Sequence, residues 1–301
     1  MFTRPPNLLV LLSLSIILVI KLLFVDLSMK NIDDLLNPYY IRDFLSLESK
    51  LLVPVIQVFE RTESTNNILI EKNCVYPNGH ACFAEKQTNG RGTQGKKWIG
   101  LENNICFSVS WNFNQPIKHP HMLNYALAVK LVKYLNQEGF KDIKTKWPND
   151  LICEGAKLGG ILIDLIYKKN SKIYLVVGVG INFEASEDDK EKVDQKIIDL
   201  KSLHKKSYKI KRNKIASILL DAVIKSLSEF DKCNYKKLSE DWNNIDYNYD
   251  KKKTVLINNK EVITKLMGIN EIGQLICFHD NKEHLYNINE VKIIKNESLR
   301  N

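Results

Sequence analysis

The sequence predicts an α+β fold in which a domain of mixed strands and helices (residues 55–248) precedes a small all-β module (residues 249–301). Three observations carry that reading. Apolar residues recur at helical spacing in two long stretches, Leu123, Leu127, Leu131, Leu135 and Ile215, Leu219, Val223, Leu227, Phe230. Short apolar runs bounded by Gly, Asn and Asp lie between and around them. After Tyr249 the texture changes to short strands and polar turns only. Hydrophobic residues at 44% and charged residues at 26% exclude wholesale disorder, and only 13 glycines and 8 prolines in 301 residues exclude a collagen-like or linker-dominated chain.

In chain order, Leu8 to Val25 is apolar apart from Ser13, Ser15 and Lys21, and is long enough to be a candidate membrane span. Residues 1–28 form this leader or an over-extended start, and 29–54 an extension whose 37–52 portion reads as a capping helix. Val55–Phe59 is a strand, and Thr65–Lys72 a helix capped by Ser64 or Thr62. Ala81–Glu85 is a strand, followed by a polar, glycine-punctuated loop from Gln87 to Trp98 and a strand at Ile105–Trp111. The helix Met122–Glu138 stops at Gly139. Strands follow at Ile143–Trp147, Leu151–Cys153, Lys157–Ile166 and Lys172–Val179, with a Glu154-Gly155 turn between the middle two. After the long helix through Phe230 comes a shorter one at Tyr235–Trp242. The β module reads as Thr254–Ile257, Glu261–Asn270, Gln274–His279 and Val291–Ile294, separated at Asn258-Asn259, Gly273 and Asp280-Asn281. It has about fifty residues, near the minimum that folds alone.

A net charge of +9 suits an anionic substrate or an acidic partner. The lysines are dispersed rather than gathered into an arm, so nucleic acid is not demanded. Cys74, Cys82, Cys106, Cys153, Cys233 and Cys277 form no C-x-x-C pair and no zinc spacing, and read as small buried hydrophobes in a reducing compartment.

Four motifs can carry chemistry. The loop Gly90-Arg91-Gly92-Thr93-Gln94-Gly95-Lys96-Lys97-Trp98 matches G-x-G-x-x-G in form. It runs into a strand instead of opening a helix, which excludes the dinucleotide fingerprint. What remains is exposed backbone with three cations, suited to an anionic or flat polar ligand; spacing alone leaves a solvated surface loop equally open. In Lys146-Trp147-Pro148-Asn149-Asp150, Pro148 fixes a turn from which Asn149 and Asp150 project at a strand's end, unless the pair only satisfies its own backbone as an Asx turn. Lys157-Leu158-Gly159-Gly160 sets an ammonium beside bare backbone, or is a surface lysine next to a bulge. In Gly178-Val179-Gly180-Ile181-Asn182 the glycines clear space, or permit a tight strand crossing.

Together, in this order and spacing, these motifs and the Ser64-Thr65-Asn66 triplet resemble the biotin protein ligase family over roughly residues 55–298. The Lys-Trp-Pro-Asn-Asp string after a G-R-G-x-x-G-x-x-W loop is specific to it. The resemblance implies a class II aminoacyl-tRNA-synthetase-like catalytic domain followed by an SH3-like barrel. It further implies activation of biotin by MgATP to biotinyl-5′-adenylate, and transfer to one lysine of a biotin carboxyl carrier domain. Catalytic residues would then be Lys157, Arg91 and Asp150. Biotin would meet Ser64, Thr65, Asn66, Gln87, Gly90, Arg91, Gly92, Thr93 and Lys157, with Arg91 and Lys157 together beside its carboxylate and the phosphate. ATP and the adenylate would meet Arg91, Lys96, Trp98, Asn149, Asp150 and Asn182, with Asp150 the ligand for Mg²⁺. The rival readings are a lipoate or octanoate ligase or transferase, which gives the polar set Ser64, Thr65 and Gln87 no purpose, and a non-catalytic biotin-sensing module, which does not require Asp150 and Lys157.

The family usually carries a second arginine where this chain has Thr93, so the loop's grip on the adenylate is expected to be looser unless Lys96 compensates. The regulatory branch carries a DNA-binding domain of about sixty residues, which the 26 residues from Met29 to Pro54 do not provide, so no sequence-specific DNA binding is expected. A homodimer is compatible with the resemblance. An ATP-dependent enzyme belongs in the cytoplasm. On that ground residues 1–28 read first as an over-extended start with initiation at Met29, second as a removed organellar leader, and third as a membrane anchor.

Overall fold

The computed structural model describes residues 35–71, 76–167, 173–204 and 210–294. The apolar segment 8–25 and Cys74 lie outside them. Everything below concerns the compact unit that begins at Leu36. Among the described residues, no helix is long and apolar enough to cross a membrane.

Two short helices, α1 (Pro38–Asp43) and α2 (Leu47–Leu52), replace the single capping helix expected at 37–52. Asn37 and Ser46 cap them through side-chain oxygens, so the break at Phe44–Ser46 is the start signal of the second helix. There follow β1 (Ile56–Thr62), α3 (Thr65–Ile70), β2 (Ala81–Gln87), the two-residue strands β3 (Gly90–Arg91) and β4 (Lys97–Trp98), and β5 (Ile105–Phe113). Then come α4 (Met122–Gln137), β6 (Lys144–Lys146), β7 (Asp150–Cys153), β8 (Ala156–Tyr167), β9 (Ile173–Ile181), α5 (Glu187–Glu191), α6 (Leu200–Leu203), α7 (Arg212–Glu229) and α8 (Tyr235–Ile245). The chain ends in β10 (Lys251–Ile257), β11 (Lys260–Ile269), β12 (Leu275–His279), β13 (Lys282–Tyr286) and β14 (Val291–Ile293).

A seven-stranded sheet in the order β1-β2-β5-β9-β8-β7-β6 forms the first layer; β1 and β2 are parallel and all other neighbours antiparallel. Period-two alternation sorts its faces. Ile105, Phe107, Val109, Trp111 and Phe113 of β5 join Ile173, Leu175, Val177, Val179 and Ile181 of β9 in one core with α4 and α7. The intervening residues, Ser108 on β5 and Gly178 and Gly180 on β9, point to the other face. Leu123, Leu127, Leu131 and Leu135 of α4 are fully buried, each contributing about 1.5–3 kcal/mol by leaving water.

The second layer is a curled antiparallel sheet, β13-β12-β11-β10-β14. Its hairpins turn where expected: Asn258-Asn259 and Asp280-Asn281 both have positive φ, as a two-residue turn of that hand requires. Strand β13 was not anticipated. It is an edge strand of alternating exposed and half-buried residues, so its sequence carries no apolar period. The two sheets meet through α8. Asn243 donates Nδ2–H to the Ile269 carbonyl at 3.0 Å and accepts from the Ile269 N–H at 2.8 Å, and Tyr125 Oη donates to the Gly273 carbonyl at 3.1 Å. Trp147, buried in the Lys146–Asp150 motif, donates its indole N–H to that same Tyr125 oxygen at 3.0 Å.

Candidate functional site

The face of the large sheet that α4 and α7 leave uncovered holds the predicted residues. Ser64 stands at the N-terminus of α3, buried, but its side chain does not cap the helix. Thr65 and Asn66 in the first turn face the sheet and are buried. Gln87, at the end of β2, accepts the Thr65 backbone N–H at 2.8 Å and its hydroxyl at 3.2 Å through Oε1. Ser108 of β5 lies 2.7 Å from Thr65 Oγ1 and also reaches Asn66 Oδ1. Asn66 in turn donates Nδ2–H to Asp164 of β8 at 2.7 Å. Arg91 from the glycine loop closes the chain. Its guanidinium meets Asp164 twice, at 2.9 and 3.1 Å, and Asn67 Oδ1 at 3.2 Å. One connected network therefore runs Gln87, Thr65, Ser108, Asn66, Asp164, Arg91. Ser108, Asp164 and Asn67 had no separate signal: each sits in a run whose other residues explain the element.

The glycines of β9 are occupied from the side, a correction to the expectation that they clear space. A Cβ at Gly178 would collide with the Asn66 side-chain amide, and one at Gly180 would come within 2.7 Å of the Trp98 ring. Gly178 thus seats α3, and Gly180 seats the end of the loop. The loop is pinned by β3–β4 pairing of Gly90 with Trp98 and Arg91 with Lys97, and by a Gly92 N–H to Lys96 carbonyl bond of 2.7 Å. Gly90 has no room for a side chain, because a Cβ would sit 2.6 Å from the Trp98 carbonyl. Thr93 opens a single 3₁₀ turn and Lys96 is exposed. Gln94 and Gly95 both take positive φ there, which suits the glycine.

Lys157 lies at the other end. Its ammonium is 2.7 Å from Asp150 Oδ1 and 5.6 Å from the centre of the Trp98 ring. Both side chains are mostly buried, 18% and 26% exposed. Asp150 pairs in register with Gly160, and Asp164 stands four residues further along β8, roughly 13 Å at strand rise. The structure holds Arg91 on Asp164 and Lys157 on Asp150, at different places along β8. Asn149 does not project freely; its Nδ2 donates to the Ile161 carbonyl at 2.7 Å, across to β8. Asn182 is buried, with Nδ2 on the Lys157 and Ile198 carbonyls (3.1 and 3.2 Å) and Oδ1 accepting from Asn104 at 3.1 Å. Its side chain holds the backbone that carries Lys157. Behind it, Asn104's carbonyl takes an N–H from Arg212, which is 1% exposed and paired with Glu85 at 2.6 Å.

Asp150 is the carboxylate of the pair whose second oxygen is not used by Lys157. That suits Mg²⁺ carried on phosphates, since the ion keeps several waters and needs only one or two carboxylates. Among the described residues, burial raises every thiol, Cys82 to about 12 and Cys106 and Cys277 to about 11, with Cys153 and Cys233 shifted the same way.

One face of the large sheet thus carries α3, the pinned loop, a polar network at one end and a lysine–aspartate pair at the other, a donor set suited to a small molecule with one polar and one anionic end. Residues 58–182 match the Biotin/lipoate A/B protein ligase family. The bifunctional ligase/repressor BirA of Escherichia coli is 28% identical over 247 residues, 82% of this chain and 74% of that protein. The biotin–acetyl-CoA-carboxylase ligase of Mycobacterium tuberculosis is 28% identical over 172 residues, 55% of this chain and 61% of that one. Among solved structures, the biotin protein ligase from Aquifex aeolicus in complex with biotin and ATP superposes with a TM-score of 0.67 at 23% identity, covering 80% of this chain and 99% of that one. The chain is thus similar in sequence to biotin protein ligases over most of its length, and its fold is that of the Aquifex aeolicus enzyme.

Proposed function

We propose that this chain is a biotin protein ligase, which activates biotin with ATP to biotinyl-5′-adenylate and then acylates one lysine of a biotin carboxyl carrier domain. The observation that carries the reading is the pairing of a neutral polar network (Gln87, Thr65, Ser108, Asn66) with an ammonium at the far end of the same groove. The ureido ring of biotin matches the first and its carboxylate the second. A lipoyl or octanoyl group would leave the network's donors and acceptors unmatched, at about 1–3 kcal/mol for each buried group.

In the first step a biotin carboxylate oxygen attacks the α-phosphorus and pyrophosphate leaves. Repulsion between carboxylate and phosphate at ~4 Å is about 4 kcal/mol at an effective dielectric of 20, and the Lys157 ammonium, set by Asp150, offsets it. Arg91 and Gly90–Thr93 would close over the bound acid, which requires Arg91 to exchange Asp164 for the ligand. Trp98, with Lys96 and Asn149, would border the adenine side, and Asn182 acts by holding the Lys157 backbone. Asp150 would hold Mg²⁺, which neutralises phosphate charge. In the second step the neutral carrier lysine amine attacks the acyl carbonyl, AMP departs with the bond electrons, and the ammonium proton is released to solvent. No enzyme nucleophile is needed.

We read residues 55–248 as the catalytic domain and 249–301 as the barrel, with a homodimer as one assembly this fold allows. The helices α1 and α2, six residues each, pack on the catalytic unit, and the reading does not include operator DNA as a partner. Nanomolar operator affinity in a gel-shift at physiological salt would overturn that. The buried free thiols Cys82, Cys106, Cys153 and Cys277 favour a reducing compartment such as the cytoplasm.

The test is ATP-dependent transfer of biotin to a purified carrier domain by wild type, Lys157→Ala and Asp150→Ala. Transfer by wild type that drops at least a hundredfold in both variants, about 2.7 kcal/mol in the barrier, supports the reading. Biotin binding without transfer by wild type would leave a sensing module, and no biotin binding would return the lipoate reading.

A further inference from the structure

We propose that the β12–β13 hairpin of the C-terminal sheet carries a site for a divalent transition metal of the zinc class, ligated by His279, Asp280 and His284. This site is on a different sheet from the groove and does not depend on the ligase reading.

The hairpin brings the three residues together. Asp280 and Asn281, both at positive φ, turn the chain tightly enough to register His279 with Lys282 and Cys277 with His284. His279 is two residues from Cys277 and so shares its face of β12; His284, opposite Cys277, projects from that face as well. Donor atoms of His279, Asp280 and His284 all lie within 4.8 Å of one another. Four ligands about 2.1 Å from a tetrahedral metal stand about 3.4 Å apart, so modest ring rotations close the set.

Four details point to ligation. His279 Nδ1 and Asp280 Oδ2 are 3.2 Å apart, already the edge of such a tetrahedron. The other nitrogen of His279 lies 3.3 Å from the Tyr286 hydroxyl, the outer partner that fixes the ring of a ligating histidine. The His279 and His284 rings lie against each other with their centres 3.9 Å apart, so both imidazoles reach the same spot on the sheet face. Independently, His284 Nε2 is buried and has no hydrogen-bond partner. A buried ring nitrogen left unsatisfied is costly, and a metal would remove that cost.

Two imidazoles and one carboxylate favour Zn²⁺, Co²⁺, Ni²⁺ or Cu²⁺ over Mg²⁺. The Asp280 side chain is 84% exposed, so an ion can reach the cluster from that side. Because β13 is the edge strand, a bound ion would clamp the outer two strands of the module.

The experiment is calorimetric titration of the untagged full chain, stripped with a chelator, with Zn²⁺ in the presence of excess Mg²⁺. One equivalent should bind with a dissociation constant of roughly micromolar or below, and Co²⁺ should give the visible absorption of a four-coordinate site. Affinity should fall at least tenfold in His284→Ala and in Asp280→Asn, the second of which keeps a residue that tolerates positive φ and so preserves the turn. Biotin transfer should be unchanged in both. Zn²⁺ binding that is absent in wild type, displaced by Mg²⁺, or equal in wild type and both variants would overturn the proposal.

Discussion

At the scale of single residues, Asp164 is the hinge of the groove's polar end. It lies within β8, where apolar neighbours account for the strand, and only the fold shows that it holds both Asn66 and Arg91. Ser108 was hidden for the same reason. Thr65, Asn66 and Gln87 were legible because their order matched a family pattern, whereas the network that joins them is a product of three strands and a helix meeting. Replacing Asp164 by Ala leaves the Asn66 amide without its anchor and frees the Arg91 guanidinium. The Arg91 side chain is 40% exposed, so that ion pair itself contributes little to folding. The dissociation constant for biotin should therefore rise about 5- to 150-fold, corresponding to about 1–3 kcal/mol for a misdirected buried hydrogen-bond set, and the unpaired Asn66 amide should lower thermal stability by a similar amount. Equilibrium binding and a thermal melt on the same variant check it. Unchanged biotin affinity would mean that Asn66 is oriented by Ser108 alone.

At the scale of elements, the apolar strands and the two long helices were readable from period alone. Ile105–Phe113 and Ile173–Ile181 send alternate residues to the helix-packed core and to the face that carries α3 and the loop, and α4 repeats leucine every fourth residue. What period could not give was the meaning of the second face. Glycine at 178 and 180 looks like empty space in one dimension. In three it is the negative of two other elements, the first turn of α3 and the end of the loop. The missed strand β13 shows the converse: its exposed charges serve an edge, and edges leave no apolar trace. A Gly180→Ala exchange tests the fit directly. The new methyl displaces Trp98, whose ring borders Lys157 at 5.6 Å. Indole fluorescence should shift and the KM for ATP should rise about tenfold or more, while the strand, no longer burdened by glycine's flexibility, loses little stability. Wild-type ATP kinetics in that variant would show that Trp98 does not shape the adenylate side.

At the scale of the molecule, the two sheets are joined through a seam that includes a buried acid. Asp246 follows α8, bridges Thr145 of β6, and is 7% exposed; its Oδ1 accepts the Asn248 N–H at 3.0 Å while Oδ2 is buried without a partner. Asp142, Glu154, Glu240, Lys144 and Lys251 line the same cavity. Burial raises the Asp246 carboxyl from 3.8 to about 6, against the smaller opposing pull of the Asn248 N–H and of Lys251 and Lys144. A carboxyl with a raised folded-state pKa binds its proton more tightly when folded than when unfolded. Its contribution to stability is thus fully present below about pH 4, is lost as pH rises towards 6, and does not change further above that. Two units at 1.36 kcal/mol each set the full effect at about 2–3 kcal/mol. Asp246→Asn keeps an acceptor for Asn248 and cannot ionise. Urea midpoints for wild type and Asp246→Asn should therefore diverge between pH 4 and pH 6.5, wild type losing stability relative to the variant, and run parallel at higher pH. A difference that is flat with pH would mean that Asp246 ionises as freely in the seam as in water. If the divergence is found, the junction of the sheets loosens as pH rises through 6, and the loosening acts on β6, the strand that leads directly into Trp147, Asn149 and Asp150. The seam would then tune the groove from the side opposite the loop.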